Sequence, residues 1–111
     1  MSSIVTIEGP LVTDPEIRYS RDGVAHTTFG VRCDVDRQDL PQIVKVAVTG
    51  DLAENVALSL TRDMGILAAG WLVVTEPAEG GVPAIHLAAD TVAVSLAGCT
   101  VDVHRVVRPV A

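Results

Sequence analysis

Aromatic and basic residues are scarce in this sequence. Tyr19, Phe29 and Trp71 are its three aromatics, and eight Lys and Arg stand against fourteen Asp and Glu, a net charge of −6. Phosphate contacts need cations, and single-strand binding usually needs aromatic platforms. Composition alone therefore argues against a nucleic-acid binder. Long apolar runs are missing too: the longest, Ile66 to Val74, is interrupted by Gly70 and bounded by Asp63 and Glu76. A membrane span needs about 18 uninterrupted apolar residues, so none is expected. The opening Met1-Ser2-Ser3-Ile4 has no basic segment or apolar core of a signal peptide, which predicts a cytoplasmic chain. Cysteine is limited to Cys33 and Cys99, far apart and without Cys/His ligand spacing. Two buried, reduced thiols are the expectation.

What is present is a chain of 111 residues with 49% hydrophobic and 20% charged residues, enough for one domain with one core. Turn formers punctuate it at Gly9-Pro10, Asp14-Pro15, Asp22-Gly23, Leu40-Pro41, Gly50-Asp51, Gly65 and from Pro77 to Pro83. Between them lie short segments rich in Val, Ile and Thr. Val44, Val46 and Val48 alternate with Ile43, Lys45, Ala47 and Thr49, which assigns the first set to a core and the second to a half-open face. Ala25, Thr27, Phe29, Val31 and Cys33 alternate in the same way with His26, Thr28, Gly30 and Arg32. Ile4 to Val12 reads as a first strand with an edge or bulge at Pro10, which has no N–H. Ile66 to Thr75 and Ala84 to Val94 read as a hairpin around Pro77 to Pro83.

One segment is helical instead. Asp51 is placed to cap and Glu54 to reach back to it, while Leu52, Val56 and Leu60 form one stripe beside Ala53 and Ala57. The spacing predicts a helix of two to three turns ending near Arg62, with Gly65 beyond. Three strands, a short helix and two further strands is the order of an all-β, five-stranded OB-fold barrel.

Gly9-Pro10-Leu11-Val12-Thr13-Asp14-Pro15-Glu16-Ile17-Arg18-Tyr19 resembles the opening signature of bacterial single-stranded DNA-binding proteins, a Gly-x-Leu followed after two residues by Asp-Pro-Glu-(apolar)-Arg-Tyr. Asp22-Gly23-Val24-Ala25 resembles that family's next turn. Gly50-Asp51-Leu52-Ala53-Glu54-Asn55 resembles its helix start, and Gly70-Trp71-Leu72 its Gly-(Gln/Arg)-Leu. The match is collinear from Ser3 to Leu96, and residues 97–111 form an extension. The resemblance implies one OB-fold domain over 1–111, a homo-oligomer (tetramer or dimer), and sequence-independent single-stranded DNA binding in replication or repair.

The departures from the family pattern fall on its binding chemistry. Ile43, Thr49, Asp36 and Pro77 stand where the family has aromatics, Asp51 replaces a lysine, and Val73 and Thr75 replace arginines. The family's acidic C-terminal tail, which recruits replication and repair partners, has no counterpart. DNA binding through Arg32, Lys45, Arg62 and Trp71 is the resulting expectation, and weak binding, since each lost platform is worth about 1–3 kcal/mol. Arg18 and Tyr19 also persist, and are read chiefly as packing a turn. Trp71 is open to three readings: a relocated stacking platform, a subunit contact, or core.

A second reading is a protein-interaction or oligomerisation module that kept the barrel and lost the ligand. The remaining motifs are weaker. Asp34, Asp36 and Asp39 are closely spaced carboxylates but lack the glycine and terminal glutamate of a calcium loop. His26, His86 and His104 have no ligand spacing, so neither metal nor cofactor is expected. His104, Arg105 and Arg108 make a basic end suited to nucleic acid or a neighbouring subunit. No nucleophile elbow or P-loop is present, and no enzymatic activity is expected.

Overall fold

The computed structural model describes residues 4–33, 42–77 and 79–107. The acidic residues Asp34, Asp36 and Asp39, the Leu40-Pro41 breaker and Arg108 lie outside these described residues. The elements run β1 (Val5–Pro10), β2 (Glu16–Tyr19), β3 (Ala25–Cys33), β4 (Gln42–Thr49), α1 (Gly50–Ser59), β5 (Gly65–Thr75) and β6 (Ala84–Val94). They form one six-stranded sheet in the order β1-β5-β6-β4-β3-β2, with β1 and β2 as its edges, so the sheet is open where a closed five-stranded barrel is expected. Neighbours are antiparallel except β4 and β6, which pair in parallel through Val46–Leu87 and Ala47–Ala88.

The strand beyond the expected five arises at the first one. Val5–Pro10 pairs with β5, then the chain changes partner: Leu11 bridges Val31, Val12 N–H donates to the Gly30 carbonyl at 3.0 Å, and β2 pairs with β3. Residues 5–19 thus serve two neighbours in succession, bending at Gly9-Pro10 and Asp14-Pro15. A Cβ on Gly9 would lie 2.0 Å from the Arg32 carbonyl oxygen, so the crossing requires glycine. The contact curls the sheet and brings β1 against β3.

Alternation places the core as the strands predict. Phe29, Val31, Val46, Val48, Ile66, Ala68 and Leu87 are buried, together with Leu11 and with Ala53, Val56 and Leu60 from the helical segment. Thr27 is a buried polar residue, and its Oγ1 donates to the Ala53 carbonyl at 2.8 Å, pinning α1 to β3. The helix begins earlier than its capping pattern indicates. Thr49, extended and without a side-chain capping bond, is the N-cap, and Asp51 sits inside the first turn. Gly50 takes φ 69°, a left-handed conformation that glycine adopts without strain. The helix ends at Ser59, short of Arg62. The turn that follows is clipped to the end of β1: Asp63 N–H donates to the Leu11 carbonyl and Leu11 N–H to the Met64 carbonyl, both at 3.0 Å.

Neither cysteine is in a disulfide, as expected, but Cys99 is exposed and Cys33 half-buried, so burial fails for the second thiol. Cys99 lies after β6, where its thiol donates to the Ser95 carbonyl at 3.3 Å. No helix among the described residues is long and apolar enough to cross a membrane.

Candidate nucleic-acid interface

The inward rows of β3, β4, β5 and β6 are fixed by the buried residues, so the opposite rows define one outer face. Glu16 and Arg18 of β2 share it, because they stand opposite Thr28 and His26. β3 contributes His26, Thr28, Gly30 and Arg32, and β4 contributes Ile43, Lys45, Ala47 and Thr49. β6 adds His86 and Ala88, which stand opposite Val73 and Trp71 of β5. A continuous cross-strand row results: Glu16, Thr28, Ala47, Ala88 and Trp71. Between Glu16 and Trp71 it contains only threonine and alanine. Gly30 stands opposite Lys45, so the floor beside the lysine carries no side chain.

Three of the four site residues read from the sequence therefore share a face. Arg32 and Lys45 are exposed on it, and Trp71 shows 37% of its surface, which makes plain core the wrong reading for this indole. Arg62 is elsewhere. It sits in the turn after α1, where its backbone N–H donates to Asp14 Oδ1 at 2.8 Å and its guanidinium lies 4.0 Å from Asp63. Its link to the face is Asp14, which lines an open cleft of about 550 Å³ with Thr13, Pro15, Glu16, Thr28, Gly30 and Lys45.

Arg18 belongs to the face as well, although the sequence reading gave it to turn packing. Adjacent strand residues point to opposite sides, so Arg18 and Tyr19 do not stack on each other. Arg18 instead reaches Glu16 at 3.4 Å, with both side chains largely exposed. Exposed pairs of this kind are worth little, about 0–1 kcal/mol, and a phosphate can displace the carboxylate. Tyr19 lines a shallow hollow against Glu54, Ala57 and Leu58 of α1. His86 is the other residue that sequence spacing missed: it precedes Ala88 on β6 just as Lys45 precedes Ala47 on β4. The signal for it is parallel register, which only the fold supplies. His104 also approaches α1, lining a hollow with Asn55, Leu58 and Ser59, and Arg105 is exposed beyond it.

No protein-family model and no curated protein matches this sequence. Solved structures do match the fold. A deletion variant of the single-stranded DNA binding protein from Thermus aquaticus superposes with a TM-score of 0.72 at 24% identity, over 86% of this chain and 42% of that one. The fold is the OB-fold. This chain spans less than half the length of the Thermus structure it matches. The likeness carries the open sheet with its one helix, while the face described above rests on this chain's own residues.

Proposed function

We propose that the chain is a single OB-fold domain that binds single-stranded DNA across the outer sheet face, weakly and without sequence preference. The observation that carries this reading is the row from Thr28 through Ala47 and Ala88 to Trp71, with Lys45 beside it. A base stacks on the Trp71 indole, the strand crosses small side chains that do not obstruct it, and Lys45, Arg32 and Arg18 meet phosphates. Arg62 meets the strand only where it passes Asp14. With one exposed aromatic in place of several, sequence discrimination has no hydrogen-bonding basis and affinity is low. The resemblance to bacterial single-stranded DNA-binding proteins supports a divergent relative of that family, acting in the cytoplasm as a homo-oligomer in DNA replication or repair. Titration of Trp71 fluorescence with oligo-dT at low salt tests the reading. Quenching that reverses with added salt supports it; no quenching and no mobility shift at tens of micromolar protein overturns it.

A second reading is favoured by the acidic balance of the chain and by apolar exposure on β5 and β6. The chain is then an interaction module without nucleic-acid activity. Co-purification with a single-stranded DNA-binding protein that survives nuclease treatment distinguishes it from the first.

A further inference from the structure

Three neighbouring strands each place one cation-forming side chain on the same side of the Trp71 row: Arg32 on β3, Lys45 on β4 and His86 on β6. Leu87 is fully buried, so His86 and Ala88 on either side of it turn to the outer face. The pairs Val46–Leu87 and Ala47–Ala88, carried back one residue, set His86 beside Lys45 at the strand spacing of about 4.8 Å. On its other flank His86 stands opposite Val73, with Trp71 on the diagonal and within reach of the ring. Lys45 is exposed and His86 half-buried. Lys45 is the charged group that faces His86 from the strands packed on it. β5 contributes Val73, Trp71 and Thr75, β6 itself Ala84 and Ala88, and α1 meets β6 near Val92 and Val94. The carboxylates stand further off. Asp14 and Glu16 line the cleft on the β2 and β3 side of Lys45, and Glu76 follows the end of β5. Asp90 is four residues along β6, about 13 Å away.

We infer, on the reading of this face as a single-stranded DNA site, that His86 is a conditional phosphate contact, so that binding tightens as pH falls. Histidine is the side chain that changes charge between about pH 8 and 5. A phosphate lying between Lys45 and His86 meets one positive charge when the imidazole is neutral and two when it is protonated. The protonated ring extends the line Arg32–Lys45 to the strand next to Trp71, where the phosphate of the nucleotide stacked on the indole gains a partner. The other two histidines are placed differently. His26 lies on the opposite side of the Trp71 row, facing Arg18, and His104 lies off the face beside α1. Lower pH also reduces the net charge of −6 as a whole, which favours any polyanion. Position separates the two effects: each histidine replaced removes one proton site, but only His86 stands on the line with Arg32 and Lys45.

Oligo-dT binding measured over a salt series at about pH 8 and about pH 5.5, either side of the histidine range, tests it. The unmodified chain is expected to bind about two- to fivefold more tightly at the lower pH. Its slope of log affinity against log salt is expected to steepen by about 0.7, one added phosphate contact. His86→Gln is expected to lose most of both differences. His86→Lys, whose charge is fixed, is expected to lose the pH dependence and keep the steeper slope at both pH values. His104→Gln is expected to retain the differences in full. Far-UV circular dichroism at each pH checks that the fold is kept. Equal binding by the unmodified chain at both pH values, or a pH difference that His86→Gln leaves intact, overturns the inference while the DNA reading stands. No binding at either pH overturns both.

Discussion

The Asp14 carboxylate accepts the backbone N–H of Arg62 at 2.8 Å, joining residues 48 apart in sequence. It holds the turn after α1 against the exit of β1, next to the cleft that contains Lys45. Asp14→Ala is expected to cost about 1 kcal/mol in urea denaturation, an exposed charge-assisted hydrogen bond being worth less than a buried one. Asp14→Asn keeps an acceptor and is expected to lose less. Because it also removes a negative charge from the cleft, it is expected to tighten oligo-dT binding at low salt.

The glycine at the crossing of β1 and β3 admits no substitute. Gly9→Ala drives a methyl group to 2.0 Å from a backbone oxygen, and is expected to destabilise by about 3 kcal/mol or more. At Gly30 the nearest atom to an added Cβ is Val12 Cγ2, at 2.8 Å, and a side chain can yield. Gly30→Ala is therefore expected to cost about 1–3 kcal/mol. Thermal unfolding of the two variants side by side checks the ranking.

Trp71→Ala is expected to weaken oligo-dT binding by about 1–3 kcal/mol, the worth of one stacked base. Trp71→Phe keeps an aromatic platform and is expected to recover most of that loss. Mobility shifts measure both, since the fluorescent reporter is gone.

The cations separate by their position on the fold. Lys45→Gln and Arg32→Gln are each expected to reduce the slope of log affinity against log salt by about 0.7, one phosphate contact on a single strand. Arg62→Gln, off the shared face, is expected to change the slope less. Equal slopes for all three would mean that the strand follows another path.

The two longest alternations were legible because period two maps directly onto burial. Val46 and Val48 are inside and Lys45 is outside, and in β3 Phe29 and Val31 are inside and Arg32 outside. β2 was hidden because four residues with one half-buried position carry almost no periodic signal. The helix starts from Thr49 rather than Asp51, and since Thr49 makes no side-chain capping bond, a search for capping side chains does not find that start. Trp71 could be placed on its strand face by alternation, yet its alignment with Ala47 depends on the parallel pairing of β4 with β6, which no local pattern encodes.

The change of partner within residues 5–19 also orders events during synthesis. β2, β3 and β4 are neighbours both in sequence and in the sheet, and can join as soon as they emerge. Val5 pairs with Gly70, however, so the first strand made must wait for one of the last. At about 5–20 residues per second that wait is several seconds. For that interval the nascent chain carries Val5 and Ile7 unpaired; Gly65–Gly70 then supplies their partner, and β6, last made, joins that pair to β4.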